Sequence, residues 1–379
     1  MVFLLSSENV FDYLIKHNLL NPPTKQISKI EQIKAKNFNL LITFEDNTRL
    51  LVKQEMRDRE GKAEGDFLRE WQIQEFIRQY PQLSHFNQFL PELLWFDREN
   101  FVLIFRYLDN YLDLYNFYLK LNQFPVKIAT EIGKILATLH RDSYDCRDYE
   151  EFLVPNSENQ KNHQVHRLIR SWERIEPEIF GEVPAEGLKF FTLYQKYDSL
   201  GNAIAQLGNS FKPSCFTHND LKLNNILLNR DWEQVDENIL RLIDWERFCW
   251  GDPAFDLGTI ISSYLQIWLS SLVISQSLTI EESLGSAMIP LKRLQPSIAS
   301  LQKAYLQVFP MILKHRPDFL ERTVQFAGFT LIQQIQAKIQ FQKCFDNTGI
   351  VMLQVGKSLL CRPQHSMPTI FGTTADKLV

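Results

Sequence analysis

His218, Asn219 and Asp220 form a short polar turn, Asn225 follows five residues after that aspartate, and a further aspartate stands at Asp244. Residues of these types at these spacings suit phosphoryl transfer. Asp220 precedes a run, Leu221 to Leu228, apolar enough to return into the core, which leaves its carboxylate as a candidate base for a hydroxyl proton. Asn225 and Asp244 supply an amide oxygen and a carboxylate, the hard oxygen donors that Mg²⁺ prefers. Phosphoryl transfer leaves the protein little covalent work: it orients a hydroxyl, holds Mg²⁺ on nucleotide phosphates and neutralises charge as the group moves. An aspartate in a turn more commonly caps a helix, but a cap does not require Asn225 and Asp244 at these positions.

Alternation and turn residues predict the elements that hold this set. Gln26 to Gln32, Asn39 to Phe44 and Arg49 to Gln54 read as strands, with Glu45, Asp46 and Asn47 making the tight turn between the last two. Lys53 ends the third strand, so its ammonium could reach nucleotide phosphates from a fixed support; the plain alternative is one more exposed strand-end lysine. Asp66 to Tyr80 carries Phe67, Trp71, Phe76 and Ile77 at helical offsets, and Leu93 to Phe96 and Phe101 to Phe105 read as two further strands. A short helix opens near Ser6 and Ser7 and runs to Asn18. Beyond Asp109 helices dominate: Ile128 to His140, amphipathic runs after a polar stretch from Pro155 to His166, and the segment from Leu257 to about Phe345. The tail from Cys361, with Pro363, Pro368 and Gly372, reads as loop.

With 379 residues, 45% of them hydrophobic, the chain buries a large core, and its size suggests two lobes. Lys and Arg number 41 against 45 Asp and Glu, so no global field recruits nucleic acid or an anionic membrane. Five scattered cysteines without CxxC spacing fit a reducing compartment. The N-terminus has an apolar run only from Val2 to Leu5 and no basic leader, so a cytoplasmic location is expected. Leu257 to Ile280 lacks any charge, but Ser262, Ser263, Gln266, Ser270, Ser271, Ser275, Gln276 and Ser277 favour a buried helix over a membrane span.

The stretch from Cys215 to Gly258 resembles the aminoglycoside phosphotransferase and choline kinase superfamily, a protein-kinase-like fold acting on small molecules. The match lies in His218, Asp220 and Asn225, in Asp244 after the apolar Leu240, Leu242 and Ile243, in Trp245 and Glu246, and in the following WGDPAFDLG. The resemblance implies an α+β, two-lobed fold. Residues 1–106 would be a nucleotide-binding lobe with a small antiparallel sheet and one main helix; residues 107–379 would be a larger, mostly helical lobe. A hinge near Arg106 to Asp109 would offer backbone groups to an adenine edge. It further implies that Glu70 holds Lys53, that Asn37 belongs to the phosphate-covering loop, that Asp256 braces the catalytic loop and that His218 supports its geometry. Lys222 either approaches the transferring phosphate or is a solvated lysine; Glu246 either adds a ligand to a second Mg²⁺ or is a surface carboxylate.

One departure concerns the phosphate-covering loop. No glycine precedes Gly61, so Ile33 to Phe38 must serve with less backbone freedom to approach phosphates, which leaves the choice between ATP and GTP open. Only eleven residues separate Asp244 from Asp256, too few for a segment that holds a peptide substrate. The expected activity is therefore ATP- and Mg²⁺-dependent transfer to a hydroxyl of a small molecule: an aminoglycoside-like compound, an amino alcohol such as choline or ethanolamine, or a sugar. Glu246, Asp252 and Asp256 with Trp245, Trp250, Tyr264 and Trp268 could line a cleft for a cationic amine, or those aromatics could simply be core. A nucleotide-binding scaffold without turnover is the alternative that the missing glycines suggest. The oligomeric state is not readable from the sequence.

Overall fold

The computed structural model describes residues 3–20, 26–58, 60–154, 164–172, 184–273 and 279–378. The chain divides into two compact units, one of Met1–Leu112 with Asn225–Phe248 and one of Asp113–Asn224 with Cys249–Val379.

In the first unit, β1 (Ile27–Ile33), β2 (Phe38–Phe44), β3 (Arg49–Gln54), β4 (Leu93–Asp97) and β5 (Val102–Arg106) form an antiparallel sheet in the order β1-β2-β3-β5-β4. Its β2–β3 turn closes at Asn47, whose φ of 62° suits asparagine, and the Asp46 carboxylate accepts from the Thr48 amide at 2.9 Å. Side chains alternate across the sheet. Leu40, Ile42, Phe44, Val52 and Ile104 pack with Val10 and Leu14 of α1 (Val10–Lys16), while Leu103 and Phe105 pack with Phe67 and Trp71 of α2 (Asp66–Gln79). Regular helix begins at Val10, later than expected; Ser6 and Asn9 bond each other's backbone amides in the turn that leads into it.

The strand β6 (Tyr111–Asp113) leads into helices α3 (Leu114–Leu121), α4 (Val126–Ser143), α5 (Arg147–Leu153), α6 (Gln164–Arg170), α7 (Ala185–Gln195) and α8 (Asp198–Asn209). Of the polar stretch from Pro155 to His166, residues 155–163 lie outside the described residues. Four short strands follow, β7 (Cys215–Thr217), β8 (Ile226–Asn229), β9 (Leu240–Leu242) and β10 (Cys249–Gly251), with β7 antiparallel to β10 and β8 to β9.

Helices α9 (Pro253–Ser270), α10 (Ile280–Gly285), α11 (Leu291–Val308), α12 (Ile312–His315), α13 (Phe319–Gln342), α14 (Asn347–Cys361) and α15 (Pro363–Phe371) complete the second unit. α4 presents Ile128, Ile132, Ile135, Leu136 and Leu139 to α11, and approaches it so closely at Gly133 that a Cβ there would stand 2.3 Å from the Leu301 carbonyl oxygen. α9 is buried along almost its whole length; its polar Thr259 bonds the Phe255 carbonyl and Ser262 accepts from Gln334, as a buried rather than lipid-facing helix requires. Ser275, Gln276 and Ser277 lie outside the described residues. Among the described residues no helix is long and apolar enough to cross a membrane.

The tail is not the loop that its prolines suggested. Pro363 sits in the first turn of α15, where a missing N–H costs nothing, and Pro368 is exposed, so the carbonyl it frees faces water. Met367, Ile370 and Phe371 meanwhile bury one helical face, and Gly372 at φ 65° ends it.

Candidate active site

The register of the first sheet fixes where Lys53 points. It shares a face with Leu51 and lies opposite Leu103 on β5, so its stem runs under α2 and its ammonium stands 5.1 Å from the Phe105 ring centroid. There it meets Glu70 of α2, with Nζ at 3.2 and 3.4 Å from the two carboxylate oxygens. α2 is itself pinned by Glu55, two residues beyond Lys53. The buried Glu55 carboxylate accepts the backbone amides of Gly65, Asp66 and Phe67 at 2.6, 3.1 and 3.0 Å, and so caps the helix from a neighbouring segment. Burial works against the Lys53 charge, but Glu70 and Asp244 outweigh it and hold the ammonium above its ordinary range. Lys53→Met should leave the Glu70 carboxylate buried without a counter-charge and destabilise the protein by about 3 kcal/mol. The Lys53→Met, Glu70→Gln double variant should recover most of that in denaturant unfolding; equal instability of both would show that the pair is not coupled.

The candidate metal ligands come together through the β8–β9 hairpin. Ile226 pairs with Leu242, and one step further out the Ile243 amide donates to the Asn225 carbonyl at 3.0 Å, which sets Asn225 beside the residue that precedes Asp244. Asp244 adopts φ 68°, ψ 54° and leads into a single 3₁₀ turn, Trp245–Arg247, anchored by the buried Trp245 indole bonding the Leu242 carbonyl at 2.9 Å. Left-handed backbone at a non-glycine residue is uncommon and is tolerated best by Asp and Asn. Glu246 is held by its carbonyl, which accepts from Arg69 Nε at 2.9 Å.

Burial, then the charges of Asp244 and Asp66, push the Glu246 carboxyl up to about 7 against the pull of Lys36 and Arg247. The donors of Asn225, Asp244 and Glu246 are all hard oxygens, so the residues fit Mg²⁺. Among the described residues no three His, Cys, Asp or Glu side chains group into a metal cage. Because the folded protein binds this proton more tightly than the unfolded chain, its contribution to stability is present below about pH 4.5 and is lost as pH rises through 7. Glu246→Gln should therefore gain on the order of 2–3 kcal/mol over the parent at pH 8 and nothing at pH 4, in metal-free unfolding curves. Parallel curves would exclude Glu246 as the titrating group.

In the second unit, Asp256 organises the loop that carries Asp220. Wholly buried in the first turn of α9, its carboxylate accepts the backbone amides of His218 and Asn219, both at 2.8 Å. His140 Nε2 lies 3.3 Å from the same carboxylate, and its Nδ1 meets the Tyr305 hydroxyl at 2.9 Å. Thus braced, Asn219 turns the chain at φ 61°, and the Asp220 amide reaches His218 Nδ1 at 3.4 Å. His218 is fully buried, a support of the loop. Lys222 Nζ sits 3.0 Å from Asp220 Oδ2. Gly251 on β10 leaves room for the loop, since a Cβ there would lie 2.1 Å from Thr217 Oγ1.

Of the residues singled out from sequence, Lys53 joins Glu70, Asn225 stands beside the strand that leads to Asp244 and Glu246, and Lys222 joins Asp220. The Asn37 amide oxygen accepts from the Met56 backbone at 3.1 Å, which ties the β1–β2 loop to the chain beyond β3. At the expected hinge, the Tyr107 amide donates to the Arg49 carbonyl at 3.0 Å, so that group is engaged at the end of the β3–β5 pairing. The aromatics weighed for a cationic-amine cleft are buried. Trp245, Trp250, Tyr264 and Trp268 are core, Asp252 pairs with Arg316 at 2.7 and 3.0 Å, and Asp256 braces the loop. Sequence reading missed Glu55, Arg69 and Lys36; only the position of Glu55, two residues past a strand-end lysine and ahead of a helix start, carried any signal.

Residues 70–276 match the model of the phosphotransferase enzyme family. A human choline/ethanolamine kinase is 33% identical over 98 residues, which cover 25% of this chain and about a quarter, 24%, of that protein's length. Among solved structures, a choline/ethanolamine kinase family protein from Mesorhizobium loti superposes with a TM-score of 0.52 at 13% identity, covering 97% of this chain and 99% of the other. That likeness establishes the kinase-like α+β fold, and the family match runs from Glu70 within α2 through the loop of Asp220. By the fold it adopts and the stretch it matches, this chain belongs to the phosphotransferase enzyme family.

Proposed function

We propose that the protein is an ATP- and Mg²⁺-dependent phosphotransferase that moves the γ-phosphoryl group onto a hydroxyl of a small molecule. The observation that carries this reading is the Ile243–Asn225 backbone bond, which puts an amide and a carboxylate donor on neighbouring strand ends, five residues after a buttressed aspartate. In this reading Lys53, fixed by Glu70, binds the nucleotide phosphates within residues 1–106. Asn225, Asp244 and Glu246 hold Mg²⁺, which when bound neutralises the phosphate oxygens. Asp220 orients the acceptor hydroxyl and takes its proton, and Lys222, 3.0 Å from that carboxylate, approaches the transferring phosphate. Transfer is direct and in line, with the acceptor held by residues 107–379.

The likeness to a choline/ethanolamine kinase supports an amino alcohol as the first acceptor to test, ahead of aminoglycoside-like compounds and sugars. ADP release with Mg²⁺-ATP and a panel of these three classes tests the proposal. Acceptor-dependent release supports it; a protein that binds Mg²⁺-nucleotide yet transfers to no acceptor would instead be a nucleotide-binding scaffold.

A further inference from the structure

The β1–β2 loop has no glycine, so its backbone amides cannot approach phosphates as closely as a glycine-rich loop allows. It carries instead a lysine whose charge is already committed to the candidate metal site. Lys36 Nζ lies 2.7 Å from Asp66 Oδ2, 3.1 Å from Glu64 Oε2 and 4.0 Å from Glu246 Oε1. Its side chain is 59% exposed while those of Asp66 and Glu246 are 9% and 11% exposed, so the lysine is the mobile partner and the carboxylates are the fixed ones. Asn37, the next residue, anchors the loop to Met56 and leaves Lys36 at the end of a tethered segment.

We propose that Lys36 is a triphosphate-positioning residue: it rests on Asp66 and Glu246 as a counter-cation in the free protein and moves to the β- and γ-phosphates when nucleotide and metal bind. The inference rests on the phosphotransferase reading. Its physical basis is charge exchange. A divalent ion beside Glu246 would repel the lysine ammonium, the incoming phosphates would attract it, and Asp66 keeps Arg69 as its partner at 2.5 Å when the lysine leaves. Lysine suits the task because its long stem and three rotatable donors reach what the backbone of this loop cannot.

Calorimetric titration of the full chain with Mg²⁺ and a non-hydrolysable ATP analogue, alongside AMP, tests this. Lys36→Met should weaken the analogue by about ten-fold, the worth of one charge-assisted contact, and leave AMP unchanged, and Lys36→Arg should restore most of the loss. Equal affinity of parent and Lys36→Met for the analogue would overturn the inference, as would parallel loss of AMP binding, which would mark a collapsed loop. A parent that binds neither ligand would overturn the phosphotransferase reading itself and the inference with it.

Discussion

Asp220→Asn should bind Mg²⁺-nucleotide nearly as well as the parent while phosphoryl transfer falls by ~10²- to 10⁴-fold, the usual worth of positioned acid–base help. The substitution isolates basicity. The amide oxygen still accepts from Lys222, now 3.0 Å from the carboxylate, and the loop's geometry is fixed upstream by Asp256 on the amides of His218 and Asn219. Nucleotide affinity and turnover should therefore part company when calorimetry with a non-hydrolysable analogue and ADP release are measured on one preparation. Full transfer activity in Asp220→Asn would remove it as the base.

Asp244→Asn should abolish the Mg²⁺-dependent part of nucleotide binding and lower turnover by ~10²- to 10³-fold or more, the scale expected when one electrostatic stabiliser of the transferring group is lost. Asparagine is the informative choice, because Asp244 sits at φ 68°, a conformation that asparagine accepts and alanine strains. A second readout needs no ligand. The Asp244 charge is among the causes that raise the Glu246 carboxyl, so Asp244→Asn should bring that group down and flatten the loss of stability between about pH 4.5 and 7. Unchanged metal dependence with an unchanged pH profile would take Asp244 out of the site.

What the sequence determined by itself is whatever depends on neighbours in the chain. The strands around Lys53, the helix of Glu70 and the turn at Asn47 follow from alternation, helical offsets and local φ preferences, all of which act within a few residues. The kind of chemistry was legible for the same reason, since Asp220, Asn225 and Asp244 lie close along the chain and their types limit what they can hold. Tertiary structure decided the rest. Glu55 became a helix cap, Asp252 the partner of Arg316 sixty-four residues away, and Lys36 the counter-charge of Asp66 and Glu246 only because the folded chain brought them together. The same holds for Trp245, Trp250, Tyr264 and Trp268, for which the sequence favours core over cleft wall without fixing it, and for a proline-bearing tail that folds as helix once Met367, Ile370 and Phe371 find a surface to bury against. Burial and ion pairing are set by distances in space, and residue types along the chain do not carry those distances.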